Sequence, residues 1–584
     1  MKALLQRAKQ DAPVYLSEVR KRFDEIGVRP FRAHVTLYDD SVRVFSLPLP
    51  YWTGDEERTL VRRYVYAVLY NILSALGAKR IDVYVNTRDA ALLDLAEGLE
   101  DAFDVALSKG ARQGYGKCLN VNERIVAALC GGEPFHFRVF DVAEEPSETP
   151  VVKAAARAFD FAALPARTAE KLLLGMDIGG TDVKLVAAYG KRLLRCVEYD
   201  WNPAAATDAD GIVEPLCALA SLLLAQANLV LAGRESALAD APREASAQAL
   251  YALADEQTAL LQSVRPFDGI GLCFPDVVVH NAIIGGETAK TKGIRENLKL
   301  DYEKEFAKIG ALHARLAAFV VPGGPVADCN DGNMAAFTAA VESAVGGEDV
   351  SAGFFAHTLG TELGTGYVEG GGRIPALPLE VYNFIIDLGS DIAASYEAAD
   401  ARSNRNVNTG LPGTLQRYAS QSGAFRLAAK YIKEEKPSQW AYLLEQGLFE
   451  EKGGLLFVPA AQRKAALAFL MEQATAGESV CCDIFREIGE YLGETWKETN
   501  YILRPAAKSR ALYGRMVKDP ACFALLFEGA RRRVEDIELY AANESLAHSP
   551  LMRSLASSDA YTVAQFGQAV GAVHYSSCTI QPTA

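Results

Sequence analysis

The chain has 584 residues, 50% of them hydrophobic and 23% charged, and its 74 acidic side chains outnumber 60 basic ones for a net charge of −14. That length asks for about four structural units, and the balance excludes disordered and collagen-like chains. The acidic field repels polyanions, so a nucleic-acid partner would need a local basic patch, and none is expected.

The opening MKALLQRAKQDAP carries basic residues but no long apolar centre and no small-residue cleavage pattern, which argues against a secretory signal and for a cytoplasmic location. Val35–Tyr38 and Val42–Phe45 flank Asp39-Asp40-Ser41 and predict a hairpin. Thr53 with Glu56 predicts a capping box, Val61, Val65, Val68, Leu69, Ile72 and Leu76 form one apolar stripe, and Gly77 suits the C-terminal cap. Ile81–Val85 reads as a strand. The run Glu144-Glu145-Pro146-Ser147-Glu148-Thr149-Pro150 is the expected linker, with a boundary near 160. Residues 1–150 hold 20 basic and 22 acidic side chains, so this α+β unit suits packing or dimerisation, with a homodimer allowed, better than DNA binding.

From Leu172 onward, strands with glycine-rich turns alternate with alanine-rich helical stretches, an α/β pattern. Residues 208–262 and 425–500 read as helical, the latter broken at Gly453-Gly454. The greasy run Leu222–Leu231 is interrupted by Gln226 and Asn228, so no membrane span is expected. The 10 cysteines include no C-x-x-C pair, and Cys481 and Cys482 read as buried thiols. Neither structural zinc nor a disulfide is expected.

Three segments carry chemistry. Leu172 to Thr181, LLLGMDIGGT, is an apolar strand running into an acid and a Gly-Gly-Thr turn. Gly179 and Gly180 let backbone amides approach a phosphate, Thr181 adds a hydroxyl, and Asp177 could hold a hydrated Mg²⁺. A plain hairpin turn would read the same way. His357 to Tyr367, HTLGTELGTGY, crowds Gly360, Thr361, Gly364, Thr365 and Gly366 into a second such turn. Between them Asn330-Asp331-Gly332-Asn333 opens a helix. The positive helix end favours ionised Asp331, a carboxylate able to act as general base. Asn330 or Asp331 could equally be no more than a cap.

In this order the segments resemble the sugar kinase branch of the actin-like ATPases, and more narrowly the ROK family of repressors, open reading frames and kinases, over residues 170–584. The resemblance implies an α/β fold of two ribonuclease-H-like lobes about a central cleft, each lobe on a five-stranded sheet. With the N-terminal α+β accessory domain (1–160), the lobes would span 161–325 and 326–584, each with a helical insertion. It further implies ATP and Mg²⁺ as cofactors and a small-molecule sugar as substrate. Asp177, Gly179, Gly180 and Thr181 match the first phosphate motif, and Gly360, Thr361, Gly364 and Gly366 match the second. Asp331 matches the catalytic base and Asn330 a sugar ligand. Arg510 to Arg515 falls where the family has a strand and a glycine turn against adenosine, which makes Gly514 an adenosine contact.

The chain also departs from that pattern. In the stretch Leu379-Glu380-Val381-Tyr382-Asn383 the sugar-binding glutamate is kept as Glu380, and Asn383 replaces the family's histidine. Gln416 stands for a second sugar-contacting glutamate, and the zinc-binding cysteines are missing. Glu362 occupies a usual glycine position, Cys273-Phe274-Pro275-Asp276 replaces a G-x-P-G turn, and Asp182 stands where lysine is common, although Lys184 could reach phosphate from the same side of the strand. The basic loop Gly285–Arg295, GGETAKTKGIR, could border the sugar site. The expected activity is ATP-dependent phosphorylation of a hexose or amino-sugar hydroxyl. A sensor that binds without turnover and a degenerate kinase scaffold are the alternatives.

Overall fold

A computed structural model describes residues 1–131, 134–146, 159–285, 289–360, 363–392 and 394–578. The N-terminal sheet runs in the order β2 (Val42–Ser46), β1 (Phe31–Thr36), β3 (Arg80–Val85), β4 (His136–Asp141). Its first strand starts earlier than the hairpin pattern predicts, because alternate Phe31, Ala33 and Val35 are all buried. The helix Asp55–Ala75 crosses this unit. Thr53 donates to Glu57 rather than pairing with Glu56, and Gly77, at φ +66°, closes the far end as expected. Of the expected linker, Ser147 to Pro150 lie outside the described residues, while Glu145 is held by Arg32 and His34 of β1.

The first lobe is a five-stranded sheet in the order β11 (Val326–Asn330), β8 (Gly269–Phe274), β5 (Leu172–Ile178), β6 (Asp182–Tyr189), β7 (Arg192–Asp200), with short β9 (Val278–Val279) and β10 (Ala282–Ile283) paired beside it. β5, β6 and β7 form an antiparallel meander, and β8 and β11 run parallel to β5. That is the ribonuclease-H-like order. β11 pairs in register with β8, so this sheet extends past the expected division at 325/326.

Strand alternation distributes the side chains. Leu172, Leu174 and Met176 pack towards the helix Asp210–Leu231, and Leu173 packs towards the helix Val563–Tyr575. The latter lies so close that a Cβ on Gly175 or Gly271 would overlap the carbonyls of Ala569 and Ala572. Helix Asp210–Leu231 has the length and hydropathy of a membrane span, contrary to the sequence expectation, yet it is mostly buried in the first-lobe core. Gln226 and Asn228 are bonded there to Ala239 O and Arg265 O.

The second lobe carries a sheet in the order β13 (Leu363–Val368), β12 (Phe354–Leu359), β16 (Ser509–Tyr513), β17 (Glu538–Ala541). Among the described residues it has four strands, one fewer than the family pattern implies. The helix Asp331–Gly346 covers one face, and Trp496 of the helix Ser479–Leu503 packs on Phe355 and Leu512 at the other. The predicted break at Gly453-Gly454 is the tip of a hairpin, β14 (Glu450–Lys452) and β15 (Leu455–Phe457).

The accessory unit shares one hydrophobic core with the second lobe, running from Phe23, Tyr64 and Ile72 to Ile385, Tyr491 and Trp496. Asn71 exchanges two hydrogen bonds with Ile385, Nδ2 donating to its carbonyl at 3.0 Å and Oδ1 accepting from its amide at 2.9 Å. Arg43 donates to the carbonyls of Ile502 and Leu503, and buried Arg20 pairs with Glu498. β13 in turn lies on the first turn of helix Asp331–Gly346, where a Cβ on Gly332 would stand 2.5 Å from Thr365 O and one on Gly366 would overlap Gly332 O.

Two substitutions test these contacts. Asn71→Ala leaves two buried backbone groups unpaired and is expected to cost about 2 kcal/mol, read as a lower denaturant midpoint for the accessory unit and second lobe together. Gly366→Ala is expected to cost about 2–3 kcal/mol by forcing β13 off the helix, whereas a solvent-facing glycine such as Gly447, with nothing near its Cβ position, should cost less when changed to Asn.

Candidate functional site

The end of β11 sets the centre. Asn330 caps the following helix, its Oδ1 accepting from Gly332 N at 2.9 Å while its Nδ2 donates to Asp276 O at 2.9 Å. The capping role therefore falls to Asn330. Asp331 projects with 43% of its side chain exposed, and its Oδ2 stands 3.9 Å from Lys290 Nζ. An accessible carboxylate beside a cation at a helix start can accept a proton from a bound hydroxyl.

Asp177, on β5, faces the same centre. It lies opposite Lys184 on β6 and Cys273 on β8 in the ladder. Burial pushes its carboxyl up to about 6; Lys184 opposes the shift, and the neighbouring charges of Asp331 and Asp182 add to it. Burial works against the Lys184 ammonium, but Asp177, Asp182 and Glu198 hold its pKa above the ordinary lysine range. Lys184 is ion-paired with Asp182, so it neutralises the acids beneath the turn.

Gly179, Gly180 and Thr181 form the β5–β6 hairpin turn. Gly179 N donates to Asp182 O at 2.8 Å, and Trp201 clasps the turn by donating to Gly179 O and Thr181 O. Thr181 Oγ1 donates to Asp182 at 3.1 Å. Lys290 lies across the turn, its Cε 3.3 Å from where a Gly180 Cβ would be. The same lysine thus touches the turn and reaches Asp331. It belongs to the basic glycine-rich loop, of which Gly286, Glu287 and Thr288 lie outside the described residues.

The second glycine segment is brought to Asp331 through the β13 contact with Gly332. Its glycines serve the hairpin closely. Gly364 N donates to Thr358 Oγ1 at 2.8 Å, Gly366 sits on Gly332, and the Thr365 hydroxyl is 3.1 Å from His357 Nδ1 in the core. His357 also accepts from Trp496 Nε1 at 3.0 Å, and burial drives its pKa down to about 3, so it stays neutral. Gly360 O accepts from Gln421 N at 3.0 Å. Thr361 and Glu362 lie outside the described residues. Gly514, at φ +112°, packs on the backbone of Leu359 at the end of β12. Its neighbour Arg515 lines an open cleft of about 460 Å³ with Met471, Glu472, Thr475 and Asp519.

Glu380, Asn383 and Gln416 gather in a second polar group on the second lobe. Asn383 Nδ2 donates to Glu380 at 3.4 Å, Asn406 Nδ2 donates to Asn383 Oδ1 at 2.9 Å, and Gln416 Oε1 accepts from Val407 N at 3.1 Å. The accessory helix holds this group from behind, since Ser74 O accepts from Glu380 N at 2.8 Å. Asp276 is the residue that spacing alone left without a role. It is buried, its pKa is raised to about 6 by desolvation, and Lys290, Arg124 and Arg295 counter that shift. Its replacement of a glycine was the available signal.

The oxygen donors near Asp177 are the carboxylates of Asp331 and Asp182, with the Cys273 thiol and the Lys184 ammonium also against it, and among the described residues no three His, Cys, Asp or Glu side chains are grouped to hold a metal ion. That donor set fits a hydrated Mg²⁺, which keeps most of its waters and takes one or two carboxylates plus phosphate oxygens.

No family model and no curated protein matches the sequence. Solved structures similar to the chain include a ROK family glucokinase from Streptomyces griseus in complex with glucose and AMPPNP, at 18% identity and TM-score 0.38 over 69% of this chain and 98% of that one. A ROK hexokinase from Thermus thermophilus is similar at 16% identity and TM-score 0.36, covering 69% and 97%. A ROK family transcriptional regulator, a homologue of the E. coli MLC protein, is similar at 14% identity and TM-score 0.39, covering 70% and 81%.

Proposed function

We propose that the chain transfers the γ-phosphoryl group of ATP to a hydroxyl of a sugar, a hexose or amino sugar. The observation that carries the reading is the accessible Asp331 carboxylate at a helix start, flanked by Lys290 and Asp177 and bordered by two glycine hairpins. The acceptor hydroxyl gives its proton to Asp331 Oδ2, its oxygen bonds to the γ-phosphorus, and the bridging bond to ADP breaks. Catalysis is then mostly positioning and charge neutralisation.

In this reading Asn330, Glu380, Asn383 and Gln416 bind sugar hydroxyls, and the β5–β6 turn with Gly360 and Thr361 borders the phosphates. The cleft beside Gly514 receives adenosine. Asp177 would hold a hydrated Mg²⁺, which would supply charge neutralisation for the phosphates. A divalent cation there would also relieve the repulsion between Asp177 and Asp331.

A second reading, binding of sugar or nucleotide without turnover, draws on the second hairpin. There the Gly364 amide is already bonded to Thr358, and Gly366 is taken up by packing on Gly332.

ADP release measured across hexoses, amino sugars and N-acetylated sugars separates the two. The kinase reading expects sugar-stimulated release and a fall of about 10²–10⁴ in kcat for Asp331→Asn, with ATP binding retained by calorimetry. Unchanged turnover in that variant would remove Asp331 from the mechanism, and sugar binding without ADP release would favour the second reading. The acid limb of the kcat/KM profile should fall as pH drops through about 6, where Asp177 takes up a proton. Asp177→Asn should abolish that limb along with Mg²⁺ dependence.

A further inference from the structure

We infer that Arg124, on the accessory domain, is a positioning residue for the acceptor end of the cleft: it pins the first-lobe segment that holds Lys290 against Asp331. The chemistry of this inference rests on the kinase reading, whereas its geometry stands apart from it.

Arg124 belongs to the helix Leu119–Leu129 of a unit whose core is continuous with the second lobe. Its guanidinium nevertheless reaches the first lobe. Nη1 and Nη2 donate to the two oxygens of Glu303 at 3.0 and 3.1 Å, and Lys109 Nζ stands 3.6 Å from the same carboxylate. The Arg124 side chain is only 7% exposed, against 58% for Glu303. A planar two-point contact fixes orientation in a way a lysine cannot. Burial tends to raise the Glu303 pKa, but the Arg124 and Lys109 cations hold it below the ordinary glutamate range.

From Glu303 the connection runs inward. The adjacent Tyr302 hydroxyl is 3.1 Å from Thr291 Oγ1, which also accepts from Arg295 Nη1 at 3.1 Å. Thr291 follows Lys290, whose stem lies over Gly180 and whose ammonium faces Asp331. Arg124 also acts on Asp276, the residue whose main-chain carbonyl holds Asn330. Because the accessory domain is fixed to the second lobe, the Arg124–Glu303 pair spans the two lobes. Separating them breaks it and releases the Tyr302–Thr291–Lys290 chain. Glu303 lies largely in solvent while Arg124 is buried, so the pair both keeps the Arg124 charge partnered and sets where Lys290 is held.

The test uses the full chain with Arg124→Glu, Glu303→Arg, the two combined, and Arg124→Lys. Hydrogen exchange of amides 290–310 reads the clasp without any activity. We expect about tenfold faster exchange in Arg124→Glu, the scale of a typical inter-site coupling, restored in the charge-swapped pair. In turnover, KM for the sugar should rise about tenfold in Arg124→Glu with kcat nearly kept. Arg124→Lys should fall between and the swapped pair should recover. Unchanged exchange at 290–310 in folded Arg124→Glu, or a changed exchange with unmoved KM in an active enzyme, overturns the inference. Absence of turnover by the parent chain, with the exchange effect present, overturns the kinase reading and leaves the clasp standing.

Discussion

The site depends on one close approach. β13 crosses the first turn of helix Asp331–Gly346 with no side chain between them, because Gly332 and Gly366 present bare backbone to each other. This contact ties the second sheet to the strand end where Asn330 and Asp331 emerge from the first. Packed backbones of this kind tolerate little displacement. A larger residue at either glycine would move the second hairpin away from the carboxylate and alter the distance between the two glycine turns.

Much of this was legible from local pattern. The strand-to-turn run ending in Gly179-Gly180-Thr181 and the helix opening at Asp331 are short-range signals, and each appears where the spacing predicts it, whereas the strand before Gly514 is expected only from the family resemblance. What the glycines of the second hairpin do was not legible. Crowded Gly and Thr suggest a phosphate cradle, whereas Gly364 is taken up by Thr358 within its own hairpin and Gly366 by Gly332 of a separate segment, a contact that exists only once the fold forms. The expected division at 325/326 puts β11 at the start of a new lobe, but its hydrogen bonds go back to β8.

The accessory unit was harder still to read. Its near-neutral charge and ordinary α+β pattern suggest a separate module. Asn71 and Ile385, 314 positions apart, share paired hydrogen bonds that no periodicity announces. Its helix Asp55–Ala75 backs the Glu380 segment, and its Arg124 reaches Glu303 beyond the cleft. Burial of a common core makes the unit a structural wall of the second lobe, while it meets the first through the Arg124–Glu303 ion pair. The two attachments differ in kind, and hence in how readily each gives way.

The helix Val563–Tyr575, seated on bare Gly175 and Gly271, has a consequence for biosynthesis. A ribosome releases the β5 to β11 sheet hundreds of residues before the element that covers its second face. Until then Leu173, Val186 and Ala188 are without their apolar partners Phe566, Val570 and Val573. The nascent chain must carry that uncovered sheet through the synthesis of the entire second lobe. Maturation of the first lobe therefore waits for residues 563–575, and the interval before they are made is the period of greatest exposure to chaperones and to aggregation.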